Sequence, residues 1–156
     1  MDRVIKSFSS TTLGKGLPLG NLTSQILVNI YMNKFDQFIK HKLKAKYYIR
    51  YADDFVIFSP NRNWLEKQIS IIMDFLFYNL KLELHPDKLF IKTLASGVDL
   101  LGWIHFSDHR VLRTATKRRM MRRLEQNKSS ATTDSYLGLL KHGNTYKIEK
   151  KVKDFV

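Results

Sequence analysis

Hydrophobic and polar positions alternate along this chain with more than one period. From Arg62 to Leu80, apolar residues fall at 65, 69, 72, 73, 76 and 80, which predicts an amphipathic helix starting near Asn61 or Asn63. The run from Asn21 to about Lys40 is apolar over most of a helical circumference, through Ile26, Leu27, Val28, Ile30, Tyr31, Met32, Phe35, Phe38 and Ile39. That pattern predicts a buried helix, capped by Asn21 or Thr23. Between the two, Tyr47 to Ser59 reads as two short strands of Tyr, Ile, Val and Phe joined at Asp53-Asp54. Leu82 and Leu84 alternate with charged residues as a short strand, His85-Pro86-Asp87 is a turn, and Leu89–Ile91 and Leu100–Ile104 read as two more strands. Upstream, residues 1–8 look like the end of a helix, and Gly14, Gly16, Pro18 and Gly20 exclude regular structure. The expected fold class is α/β (α+β), an antiparallel sheet with helices on one face.

The last third has a different character. A helix is expected from about Ala115 to Gln126, with Met120, Met121 and Leu124 in one narrow sector and Arg118, Arg119, Arg122 and Arg123 opposite. Residues 134–143 and 146–155 read as two further short helices. The net charge of +13 is concentrated here: residues 1–109 carry +4 and residues 110–156 carry +9. A basic segment on a modestly charged domain points to a polyanion, most simply nucleic acid, and arginine's fork suits phosphate oxygens. Solvated helix faces or anionic lipid are the alternatives.

Composition adds three limits. With 156 residues, 44% of them hydrophobic, the chain can bury a real core. It has no cysteine, which excludes disulfides and thiolate metal sites and fits an intracellular protein. Its apolar runs are broken by Lys, Asp or Asn, so no membrane span is expected; a cytoplasmic location is the expectation.

Candidate chemistry centres on Asp53 and Asp54. In a regular strand two adjacent side chains point to opposite faces, but at a tight turn both can lean toward one cleft. Two carboxylates that close repel unless a cation sits between them, and hard ions such as Mg2+ take carboxylate oxygens. An ordinary solvent-exposed hairpin turn, where Asp is common, remains the other reading.

Taken together, these stretches resemble the palm of reverse transcriptases. Gly16-Leu17-Pro18-Leu19-Gly20-Asn21-Leu22-Thr23-Ser24-Gln25 resembles the family's template- and nucleotide-positioning loop and helix, and Tyr51-Ala52-Asp53-Asp54 its metal-binding hairpin. Leu82 to Lys88 resembles the motif that brings a lysine near the incoming phosphates. Leu101-Gly102-Trp103 resembles the primer-gripping hairpin, and the basic tail the start of the thumb. The resemblance implies an RNA-directed DNA polymerase with an RNA template, a DNA primer and deoxynucleoside triphosphates as partners. Two Mg2+ ions would serve it, with Asp53 and Asp54 as ligands. Gly16, Pro18, Leu19, Gly20, Ser24 and Gln25 would position nucleotide and template, and Lys88 would neutralise or protonate the leaving pyrophosphate. Trp103 is a primer contact or a core residue, and Tyr51 packs beneath the acidic turn. Ser24-Gln25 and Ser135–His142 bring the chain closest to bacterial retroelement enzymes, of the diversity-generating and group II intron-like branch. The domains expected are a partial palm over 1–108 and a basic helical thumb segment over 109–156.

The sequence also departs from that pattern. The family carries another metal-binding aspartate upstream of the Gly-Pro-Gly loop; here the only acid before Gly16 is Asp2, and Asp36 sits inside a helix on the other side of the loop. Fingers are missing too, so the chain resembles the C-terminal part of a palm and is expected to need a missing N-terminal segment or partner chain. A catalytically dead, nucleic-acid-binding remnant is the alternative. Leu19 stands where many relatives carry glutamine, which implies relaxed nucleotide selection. A nucleotide cyclase on a similar palm is disfavoured by the absence of a Gly-Gly-Asp/Glu-Glu-Phe signature.

Overall fold

Among the described residues, two helices and one hairpin build the first of the chain's two compact units, which divide between Phe90 and Ile91. The structure, a computed structural model, describes residues 22–127 and 129–153. Helix α1 (Leu22–Gln37) continues into a π-helical turn over Phe38–Lys42. A hairpin follows, β1 (Tyr47–Tyr51) antiparallel to β2 (Asp54–Phe58), then α2 (Arg62–Phe75) with its own π-helical end over Leu76–Leu80. Helix α2 starts where its cap requires: the Asn61 side chain accepts a hydrogen bond from the Trp64 amide at 2.9 Å.

The core of this unit is one layer deep. Met32, Phe35 and Ile39 from the α1 side meet Ile72, Leu76 and Leu80 from the α2 side, and Tyr48, Phe55 and Ile57 of the hairpin pack against them. Phe35 is fully enclosed, its ring 4.9 Å from that of Phe55 edge-on, and Phe38 stacks on Phe75 at 3.9 Å. The expectation that α1 is buried all round is corrected here. Leu22, Ile26, Ile30 and Tyr31 are half or more exposed, since the described residues of α2 and the hairpin pack against the Met32, Phe35 and Ile39 side of the helix. Thr23 lies within α1, so it is not the cap.

The second unit pairs a three-stranded meander with three helices. Strands β3 (Val98–Leu100), β4 (Trp103–His105) and β5 (Arg110–Leu112) run antiparallel in that order. Helices α3 (Thr114–Gln126), α4 (Ser130–Leu140) and α5 (Tyr146–Lys153) follow. Trp103, Leu112, Met120, Leu124, Leu140 and Val152 form its core, drawn from every one of these elements except β3. The molecule is thus α+β with two small antiparallel sheets.

Three strand expectations fail in detail. Leu82–Leu84 and Leu89–Ile91 are irregular, flanking a one-turn 3-10 helix at Pro86–Lys88, since Pro86 lacks the amide a ladder needs. The single strand expected over Leu100–Ile104 is instead a hairpin. Leu101 and Gly102 both take positive φ, 54° and 80°, and turn the chain in two residues.

Candidate active site

The two acids emerge from a turn of the tightest kind. Tyr51 pairs with Asp54 across the β1–β2 hairpin, leaving Ala52 and Asp53 as the connecting pair. Ala52 has φ 51°, a left-handed conformation in which Cβ crowds the next carbonyl, so alanine does not hold it unaided. Strand alternation puts Tyr47, Ile49 and Tyr51 on one face with Asp54, while Tyr48, Arg50, Phe55 and Ile57 face the core. Tyr51 is 56% exposed; it stands beside Asp54 on the open face and does not pack beneath the turn, contrary to expectation.

Asp53 and Asp54 are both exposed, and neither forms an ion pair or side-chain hydrogen bond with another described residue. Two unpaired carboxylates at adjacent positions are hard oxygen donors of the kind that fit Mg2+. Among the described residues no third His, Asp or Glu joins them into a larger ligand cluster.

Behind the turn lies a polar cluster that sequence reasoning missed. Arg50 projects inward from β1 with its side chain only 9% exposed. Its Nε donates to Asp36 Oδ1 at 2.8 Å and its Nη2 to Asp36 Oδ2 at 2.6 Å, a bidentate pair. Its Nη1 donates to Asn29 Oδ1 at 3.1 Å and to the Ala52 carbonyl at 2.7 Å. The Tyr48 hydroxyl donates to Asp36 Oδ1 at 2.7 Å. The Arg50 guanidinium holds the Asp36 carboxyl below its usual 3.8, against the opposing effect of burial and with help from Tyr48. Burial first, and then the hydrogen bond to Asp36, push the Tyr48 phenol well above 10.0. Signals for this cluster were present in the sequence. An arginine at an inward strand position between aromatic residues demands a buried partner, and Asn29 and Asp36 lie seven residues apart on one helix face.

The other candidates are distributed as follows. Lys88 ends the 3-10 turn after His85 and is exposed, with no described contact to the acidic turn. Ser24 is buried with a hydroxyl that has no hydrogen-bond partner among the described residues, and Gln25 beside it is exposed. Gly16, Pro18, Leu19 and Gly20 lie outside the described residues. Of the primer-grip trio, Leu101 is the exposed tip and Gly102 sits over Thr116 of α3. Trp103 is core, 6% exposed, with Arg110 over its ring at 5.4 Å, so of its two expected roles the structure assigns the packing one. Arg118, Arg119, Arg122 and Arg123 are all exposed along α3, opposite buried Met120 and Leu124, and none makes an ion pair with a described residue.

Residues 4–105 match the family of reverse transcriptases (RNA-dependent DNA polymerases), and the chain belongs to that family. Comparison with curated proteins gives no match. No helix among the described residues is long and apolar enough to cross a membrane.

Proposed function

We propose that this chain supplies the metal-binding half of a retroelement reverse transcriptase of the bacterial, diversity-generating or group II intron-like type. The observation that carries this reading is a pair of exposed carboxylates without an ion-pair partner among the described residues: Asp53 in a two-residue turn whose Ala52 is left-handed, and Asp54 at the start of β2. These two would hold Mg2+, which supplies charge neutralisation at the triphosphate and activation of the primer hydroxyl. The chain's own residues do the rest. The open hairpin face, with Tyr51 beside Asp54, receives the primer end; Lys88 meets the departing pyrophosphate; Leu101 and Gly102 support the primer strand. Gly16, Pro18, Leu19, Gly20, Ser24 and Gln25 position template and nucleotide. The exposed arginines of α3 follow the phosphate backbone of the RNA–DNA duplex. The palm role extends through residue 108, and residues 109–156 act as the start of a thumb.

With only two carboxylates brought together among the described residues, the 156 residues by themselves extend a primer poorly, and a further palm segment, in cis or from a partner chain, completes the ligand set. Primer extension on an RNA template tests this. The purified chain gives little product with Mg2+; robust synthesis by the chain alone refutes the incomplete-site reading. In a completed enzyme Asp53→Ala lowers synthesis by about 10^3-fold or more while duplex binding changes less than about twofold. The second reading, a binding remnant without catalysis, is favoured by the unpaired arginines of α3. It gains if completed enzyme binds duplex but never extends a primer.

A further inference from the structure

Arg50 has more engaged donors than its place in a five-residue strand requires. A single guanidinium reaches two residues of α1, Asn29 and Asp36, and the carbonyl of Ala52 in the acidic turn. Ala52 is the residue whose left-handed backbone most needs support, and the Nη1 bond of 2.7 Å falls on its carbonyl. The same guanidinium is the cation closest in sequence to Asp53 and Asp54, yet its fork is committed to Asp36. A guanidinium released from Asp36 would have Asp53, in the turn three residues ahead and without an ion-pair partner among the described residues, as its nearest carboxylate in sequence, Asp54 lying on the opposite face of the hairpin.

We infer that Asp36 and Arg50 are positioning residues for the acidic turn. Arg50 pins the Ala52 carbonyl and so fixes the direction in which Asp53 and Asp54 leave the hairpin. Asp36 keeps Arg50 off the Asp53 carboxylate, so it stays free for a divalent cation. The pinning stands on the hydrogen-bond geometry alone; the second half rests on the metal reading given above.

The test uses the full 156-residue chain with Mn2+ as the probe ion. Two quantities are read: amide hydrogen exchange at Tyr51–Asp54 without metal, and Mn2+ affinity by water-proton relaxation. Asp36→Asn speeds exchange at the turn about tenfold relative to amides of α3 and weakens Mn2+ binding about fivefold. The double variant Asp36→Asn/Arg50→Gln keeps exchange fast but returns Mn2+ affinity to within about twofold of wild type, because no stray cation is left. A merely structural role moves both quantities together in every variant. If Asp36→Asn does not fold by circular dichroism, Arg50→Lys replaces it, keeping charge and stem but losing the fork, with the same exchange threshold. Unchanged exchange at 51–54 overturns the inference whatever Mn2+ does. Weak Mn2+ binding that persists in the double variant overturns the competition between Arg50 and the cation. Wild-type protein that binds no Mn2+, with exchange responding as stated, overturns the competition between Arg50 and the cation and leaves the pinning in place.

Discussion

Tyr48, Asp36 and Arg50 form a chain of charge-assisted hydrogen bonds whose members titrate at opposite ends of the pH scale. Asp36 ionises below 3.8 in the folded protein, so its contribution is present above that value and is lost as pH falls through the depressed folded-state pKa. Tyr48 is shifted the other way. Its folded form keeps the proton that the unfolded chain gives up near 10.0, so its contribution is complete below pH 10.0 and is lost as pH climbs through the raised value. Tyr48→Phe therefore costs about 1–2 kcal/mol at pH 7, a hydrogen bond to a charged group. It also removes part of the alkaline loss. Urea midpoints of both proteins at pH 7 and pH 11 check this: the gap between them narrows at pH 11, and a gap that stays constant contradicts it. At this scale the acids of the turn were legible in the sequence because neighbouring Asp53 and Asp54 interrupt strand formers. Asp36 was not, since a helix sequence alone does not disclose which strand side chain will cross to meet it.

Elements with a cap or a strong period were readable, and so was the β1–β2 hairpin; the short strands expected after Leu80 were not. Helix α2 begins at the residue its Asn61 cap dictates, and α3 buries the Met120 and Leu124 side that its spacing selects. The segment from Leu82 to Ile91 alternates like a strand but carries Pro86, whose missing amide cannot join a ladder, and belongs to neither described sheet. The helix ends are unusual in another way: Lys44 and Lys81, both with φ 52°, take the left-handed position after each π-helical turn that glycine normally fills. In the second unit Gly143 sets a tighter condition. A Cβ there would press into the Trp103 ring, with Cη2 at 2.8 Å and the Arg110 carbonyl at 3.0 Å, and neither ring nor backbone can yield. Gly143→Ala destabilises this unit by about 1–3 kcal/mol, as overpacking does. Trp103 fluorescence followed through thermal denaturation in a Trp64→Phe background reads it, and an unchanged midpoint means the ring has room that the packing denies.

Across the whole molecule, charge and family agree. The excess positive charge of residues 110–156 appears on the surface as the arginine side of α3 and the lysine side of α5, where Lys147, Lys150, Lys151 and Lys153 are exposed. Binding to an RNA–DNA duplex should then weaken steeply with salt. Replacing Arg118, Arg119, Arg122 and Arg123 by Ala lowers the slope of log K against log salt by about 3 if all four meet phosphates. Fluorescence anisotropy at several salt concentrations measures it; a slope that moves by less than about 1 shows those arginines to be ordinary solvated surface. Family membership was legible from motif order, whereas the division of packing between Phe90 and Ile91 was not, because no glycine- or proline-rich linker marks it.

The reach of Arg50 also bears on how such a chain can change over generations. A lineage that loses the acid at 36 inherits a stranded guanidinium at 50, and one that loses the arginine inherits a stranded carboxylate. Substitutions at these two positions are tolerated together far more readily than singly, so descendants should keep both or exchange both.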